Sequence, residues 1–233
     1  MDDLEKAWEA LQGLDWGADV APLAAIDQAI AQAHGNEAAT VELEEKLLGM
    51  LSKSSAAGRD FICRRLVSVG SARSVAALSE MLAPAETSHL ARLALESMGS
   101  PEAIAALRTA AAEATGLQKI GLLGSLAKLK DGGSMAMLAA ATKDGDAQVR
   151  HAAVWCLGQI AGADAVAALT SFAPNDDVTK VAVADAMLLC ADRFLAEGNN
   201  AAARDLYKKF TGEAQAKHVR SAANKGVLAT VRR

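Results

Sequence analysis

Apolar residues recur along the chain in a frame that repeats about every 30 residues. In each repeat a leucine precedes a short break, and an apolar residue follows the break with a second leucine three positions later. Positions three apart share one face of an α-helix, so each repeat predicts two short antiparallel helices. The leucines before the breaks are Leu66, Leu95, Leu126 and Leu157, and the pairs after them are Val75/Leu78, Ile104/Leu107, Met135/Leu138 and Val166/Leu169.

The same frame sets the expected helix boundaries. Gly70, Gly99 and Gly162 stand where a left-handed residue ends a helix, and Asp146 and Asp177 stand where a carboxylate caps the next helix. The first helices of the repeats are predicted near 59–69, 86–98, 117–129, 147–160 and 178–196, and the second helices near 72–83, 101–113, 133–142, 163–172 and 199–210. Less regular helices are predicted near 2–12, 20–34, 37–53 and 217–231.

The sequence predicts one continuous domain over residues 1–233. No proline-rich, glycine/serine-rich or low-complexity linker separates parts of the chain. Residues 1–57 fit the repeat scheme less cleanly and are expected to be atypical N-terminal cap repeats, whereas 58–233 form the regular repeats. Terminal repeats of such arrays commonly depart from the pattern because they cover the ends of the core.

Composition supports an all-α protein and argues against several classes of function. Hydrophobic residues make up 52% of the chain but aromatic residues only 3%, and alanine and leucine supply most of the apolar content. Apolar runs are too short for a membrane span, so no membrane partner is expected. A net charge of -4 argues against a dedicated phosphate-backbone binder, so nucleic acid is not an expected partner.

One segment of the fourth repeat carries a recognisable motif. Asp146-x-x-Val149-Arg150-x-x-Ala153-x-x-x-Leu157-Gly158 resembles a HEAT repeat of the short bacterial, phycobilisome-lyase-like type. The resemblance implies a right-handed α-α superhelix of the HEAT/armadillo class with about six to seven helix pairs. It is specific for fold and nearly silent on activity, because the pattern records packing. The resemblance to this family leaves two alternative functions open: a bilin lyase or other chromophore-handling protein, and a HEAT-like DNA glycosylase.

Candidate chemical sites in the sequence are weak. Ser125 and Lys128 match the spacing of a serine acyl enzyme, but the companion motifs are absent. The histidines lack the spacing of a metal site, and the cysteines lie in apolar helical runs, which favours buried, reduced thiols and a cytoplasmic location. We therefore expect no enzyme activity, no cofactor and no metal. The histidines are His34, His89, His151 and His218, and the cysteines are Cys63, Cys156 and Cys190.

The second helices are expected to line the inner surface of the array, which makes their outward positions the candidate binding residues. This surface is small, mixed in charge and without an aromatic residue, and Trp155 is expected in the core. The absence of a basic, aromatic groove argues against the glycosylase. The predicted binding residues are Arg73, Glu80, Glu102, Thr109, Met137, Asp164, Asp205 and Lys208, joined by Val227 and Leu228 of the last helix.

Charge is distributed unevenly between the two ends of the chain. Residues 1–60 contain 12 acidic and 4 basic side chains, whereas 204–233 contain 2 acidic and 8 basic ones. The last helix is expected to keep an uncovered apolar stripe of Val219, Val227 and Leu228. The sequence therefore predicts a non-catalytic protein-interaction scaffold, a module of a larger assembly, with an unidentified protein partner and weak head-to-tail self-association.

Overall fold

Fourteen α-helices and two short 3-10 helices, with no strand, make up the secondary structure of the described part of the chain. The computed structural model describes residues 2–174 and 176–231. The 3-10 helices are Ala21–Leu23 and Gly132–Ser134. The α-helices are α1 Asp3–Gln12, α2 Ala24–Gln32, α3 Glu37–Leu51, α4 Ala56–Val69, α5 Ala72–Glu80, α6 Ala85–Met98, α7 Pro101–Glu113, α8 Gly116–Lys128, α9 Met135–Ala141, α10 Ala147–Ile160, α11 Ala163–Ser171, α12 Asp177–Ala196, α13 Asn200–Lys208 and α14 Lys217–Ala229.

The predicted alternation of first and second helices is confirmed, and the all-α repeat fold with it. Helix α4 begins at Ala56, three residues before the predicted start, and two other elements open with a 3-10 turn. The segment predicted as helix 20–34 opens with a 3-10 turn at Ala21–Leu23, and α9 is preceded by a 3-10 turn at Gly132–Ser134. In the second case two consecutive glycines disfavour an α-helical start, and Asp131 caps the turn by accepting a hydrogen bond from the Gly133 amide.

Helix ends follow most of the sequence signals, but Gly162 does not end α10: the C-cap is Ala161, with a φ of 59°, and Gly162 precedes α11 with a φ of 101° and a ψ of -178°. Two further corrections concern Gly70 and Asp177. Gly99 ends α6 in the left-handed conformation, as predicted, and Asp146 caps α10. Gly70 instead has a φ of -67°, outside the left-handed region. A glycine is needed here because the Leu66 carbonyl oxygen lies too near for a side chain: a Cβ at this position would be 2.4 Å from it. The N-cap of α12 is Asp176 and not Asp177, since the Asp176 side chain accepts the Thr179 amide hydrogen bond at 2.8 Å.

The chain divides into two compact units, Met1–Ala110 and Ala111–Arg233. In the first unit α4 packs along α3 and α6. In the second, α10 packs between α8 and α12, and α12 also contacts α13 and α14. The single domain over 1–233 stays a prediction. The four leucines that define the repeat frame are fully buried, and so are the second-helix leucines. These are Leu66, Leu95, Leu126, Leu157, Leu78, Leu107, Leu138 and Leu169.

Two expectations about burial are wrong. Trp155 is 51% exposed on α10 and does not belong to the core. Val219 is fully buried, because the side of α14 that carries it packs against α12 and α13. The apolar stripe predicted on the last helix is therefore split between its two sides, with Val219 inside and Leu228 outside.

None of the helices in the described part of the chain combines the length and the apolar character that a membrane-spanning segment needs.

Candidate functional site

The predicted binding residues are mostly exposed, as a binding surface requires. In the first unit Arg73 and Glu80 lie on α5, and Glu102 and Thr109 on α7, all with exposed side chains. In the second unit Asp164 lies on α11, and Asp205 and Lys208 on α13, again exposed. Met137 on α9 and Val227 on α14 are half-buried, and Leu228 is 58% exposed.

Glu102 and Arg73 also have local roles at the starts of their helices. The pKa of Glu102 is lowered because its own backbone amide and the Ser100 hydroxyl donate hydrogen bonds to its carboxylate. The Arg73 guanidinium lies 4.0 Å from the carboxylate of Glu44. Glu102 thus helps to order the N-terminus of α7, where the exposed amides and the helix dipole favour a carboxylate, whereas Arg73 contributes an ion pair with Glu44.

Glu44 is a buried carboxylate that the sequence reasoning missed. It projects from α3, is 1% exposed, and caps the neighbouring helix α5. Its Oε1 accepts hydrogen bonds from the Ser71 amide at 2.7 Å and from the Ser74 hydroxyl at 2.6 Å, and its Oε2 accepts one from the Ser71 hydroxyl at 2.8 Å. A buried charge is tolerated only when it is satisfied in this way. Glu44 therefore joins two repeats of the first unit.

The first unit also contains an open groove of about 690 Å³ between α1, α2 and α3. We call it the N-terminal groove. Leu4, Trp8 and Leu43 form its apolar floor, and the carboxylates of Glu5, Glu42 and Glu45 lie along its rim. A volume of several hundred Å³ is in the range of ligand-binding clefts.

The local sequence explains why the groove has this character. In α1 the residues Ala7, Trp8 and Leu11 face inward and pack towards α2, and Glu5, three residues before Trp8, is exposed at the edge of this side. Helix α1 begins at a cap, since Asp2 accepts the Glu5 amide hydrogen bond at 2.7 Å. In α3 Leu43 and Leu47 are buried while Glu42 and Glu45 remain exposed. Amphipathic helices thus form an apolar floor between two acidic edges.

The net charge of the N-terminal groove is negative. Asp2 adds a fourth carboxylate to its lining, and Lys46 is the one basic residue among the side chains that line it. A partner segment with basic side chains gains favourable electrostatics here, and an acidic segment is repelled. Because the carboxylates are exposed, their field acts over about one Debye length, roughly 8 Å at physiological salt.

The described residues include the candidate metal and catalytic patterns of the sequence. Among them, no group of three or more His, Cys, Asp or Glu side chains is placed to hold a metal ion. Ser125 of the Ser-x-x-Lys pattern is buried, and its hydroxyl donates a hydrogen bond to the Gly121 carbonyl at 3.1 Å, within its own helix. Lys128 of the same pattern is exposed.

The three cysteines are buried, as predicted, and their thiols are poor nucleophiles. Burial raises the pKa of Cys63 and of Cys156 to about 12 and that of Cys190 to about 11. The thiolate is the reactive species. At pH 8 the folded chain should therefore react with a water-soluble disulfide reagent only as fast as local or global unfolding exposes its cysteines, whereas all three cysteines of the denatured chain should react at once.

The labelling rate is measured against denaturant concentration, and rapid stoichiometric labelling of the folded chain would contradict the buried placement.

The same pKa shifts predict how stability depends on pH. Unfolded thiols lose their protons near pH 9 and folded ones only near 11 to 12, so stability is lost as pH rises through this window.

Comparison with known proteins agrees with this architecture. Residues 117–188, which span α8 to most of α12, match the family model described as HEAT repeats. This part of the chain therefore consists of HEAT repeats, which confirms the resemblance found in the sequence. A search of curated proteins found no matching sequence.

Among solved structures, one that resembles the chain is the crystal structure of an engineered protein, a Northeast Structural Genomics Consortium target. The two chains are 17% identical, with a TM-score of 0.47, over 81% of this chain and 96% of the engineered one.

Proposed function

We propose that the chain is a non-catalytic protein-interaction scaffold built from HEAT-like repeats, a module of a larger assembly, and that it binds its partner in the N-terminal groove. The observation that carries the proposal is the combination of an apolar floor with an acidic rim in one concave surface. The partner is a protein segment that presents basic and apolar side chains together, most simply one face of an amphipathic helix.

Both components of the groove contribute to recognition, but in different ways. Each exposed charge pair adds at most about 1 kcal/mol, so the carboxylates chiefly orient the partner and select its charge. Leu4 is half-buried and Trp8 is 8% exposed, so contact with them removes a limited apolar surface from water, at about 25 cal/mol per Å², and adds to the electrostatic contribution. Binding should therefore weaken at high salt without disappearing.

Trp8 makes the proposal directly measurable. Changing Trp16 and Trp155 to phenylalanine leaves Trp8 as the only tryptophan, and both replaced side chains are exposed, so the fold should tolerate the changes. We expect the fluorescence of this reporter chain to change saturably when it is titrated with a synthetic helical peptide of leucine and lysine. The same peptide with glutamate in place of lysine should produce no change.

The matched variants are charge reversals within and outside the groove. Glu42→Lys with Glu45→Lys should weaken binding of the leucine–lysine peptide about tenfold, since two attractive contacts become repulsive. Glu86→Lys with Glu113→Lys changes the net charge equally at exposed positions outside the N-terminal groove, and should have a much smaller effect. Equal binding of both peptides, or equal loss in both variants, would overturn the groove as the binding site.

A further inference from the structure

Helix α14 presents two opposite sides with different properties. Val219, Ala223 and Gly226 face α12 and α13, and a Cβ at Gly226 would lie 2.4 Å from the ring of Tyr207. Tyr207 is itself fixed, because its hydroxyl donates a hydrogen bond to Asp192. One side of α14 thus packs closely against α12 and α13, and the opposite side does not take part in this contact.

The outer side of α14 is basic with an apolar end. Lys217, Ser221, Lys225 and Leu228 recur every three or four residues, so they share this side, and all four are exposed. Val231 lies two residues after the end of the helix and is exposed too. We call these five residues the α14 face. Arg232 and Arg233, which the sequence analysis included in the basic end, lie outside the described residues.

We propose that the N-terminal groove of one copy binds the α14 face of a second copy. The inference rests on the proposed function, because it names the occupant of the same groove. Glu5, Glu42 and Glu45 on the rim meet Lys217 and Lys225 across the interface, and Leu228 and Val231 lie against Leu4 and Trp8 on the floor.

Three features of the chain support this occupant over another basic segment. The charge difference between the two surfaces follows the division of the whole sequence, with an excess of 8 acidic residues in 1–60 and of 6 basic residues in 204–233. The apolar residues of the α14 face lie beside its lysines, as the apolar floor and acidic rim of the groove require. The helix is already formed and held by α12 and α13, so its binding does not require a disordered segment to fold.

The contact is heterologous, because it joins two different surfaces. A joined pair still presents a free α14 face on one copy and a free groove on the other, so association continues into open chains unless its rotation closes a ring. With only two exposed apolar side chains on the α14 face, the interface is small, and small interfaces are weak and transient. The average mass in solution should therefore rise with protein concentration and fall as salt is added.

Mixing two complementary variants of the full chain tests the inference. One variant carries Glu42→Lys and Glu45→Lys, which disable the groove. The other carries Lys225→Ser and Leu228→Ser, which remove a cation and an apolar side chain from the α14 face without making it complementary to the lysines of the first variant, and all four positions are exposed, so both chains should fold normally. Each variant alone should stay monomeric by sedimentation velocity, whereas the mixture should form a one-to-one heterodimer and nothing larger.

A matched control and the contrary outcomes separate this inference from the proposed function. Lys143→Ser with Val178→Ser makes the same chemical change at exposed sites of the second unit and should leave self-association intact. The inference is overturned if the wild-type chain stays monomeric at low salt and high concentration, or if the two disabled variants fail to form a heterodimer. The leucine–lysine peptide titration decides the proposed function separately, since the groove can bind that peptide whether or not copies associate.

Discussion

Replacing Leu126 or Leu157 by alanine should lower the free energy of unfolding of the second unit by about 2 to 5 kcal/mol. Both side chains are fully buried, and Leu157 lies on α10, which packs against α8 and α12 on either side. Removing the side-chain atoms loses their transfer free energy and leaves a cavity that the stacked helices cannot fully close. Denaturant unfolding followed by circular dichroism measures the effect.

The matched control is Leu117→Ala in the same unit. Leu117 is 78% exposed at the start of α8, so the same substitution should change stability by no more than about 0.5 kcal/mol. If Leu126→Ala and Leu157→Ala were as mild as Leu117→Ala, the repeat frame would be wrong. Because neighbouring repeats stabilise one another, a broadened transition in the variants would be consistent with the frame.

The second large effect is expected at Glu44. Changing Glu44 to alanine should cost about 2 to 4 kcal/mol, because the Ser71 amide and the hydroxyls of Ser71 and Ser74 lose a charged acceptor at a buried helix end. The N-terminus of α5 also loses a favourable interaction with its dipole. Glu44→Gln keeps the shape of the side chain and one acceptor oxygen, so it should destabilise the chain less.

Glu45→Ala is the matched control for Glu44, since it removes the same group from the adjacent, exposed position of α3. Its effect on thermal unfolding should lie within about 0.5 kcal/mol. Equal effects of Glu44→Ala and Glu45→Ala would show that the carboxylate contributes nothing as a cap between the two helices.

The repeat frame could be predicted because packing is encoded locally. A leucine that returns at the same place in each helix pair must lie on the side that contacts the next pair, and this argument needs no knowledge of distant residues. The helix caps at Gly99 and Asp146 are local in the same sense. At Gly70 the local signal was misleading, because the glycine is required by the nearby Leu66 carbonyl and Met98 side chain and not by a left-handed backbone.

Trp155 shows how residue type can mislead where position would not. The buried residues Val149, Ala153, Leu157 and Ile160 lie on one side of α10, and the helical period places Trp155 on the opposite side, with His151. Aromatic character suggested the core, but the periodicity already indicated exposure.

The N-terminal groove and the cap at Glu44 could not be located from the sequence. Each depends on the positions of side chains from two or more helices, and the first three helices depart from the repeat frame that placed the others. A signal was present in the excess of acidic residues in the first 60 positions. What the sequence lacked was the arrangement of α1 and α3 that sets these carboxylates beside Leu4 and Trp8.

Hydrogen exchange with mass spectrometry tests the binding role of the groove most directly. The wild-type chain is compared with and without the leucine–lysine peptide, at a chain concentration low enough to keep it monomeric. The account predicts slowed exchange in α1 and α3, which form the sides of the groove, and little change in α11 and α13. Slowed exchange confined to α11 and α13, where Asp164, Asp205 and Lys208 lie, would contradict the groove and would favour the surface predicted from the sequence.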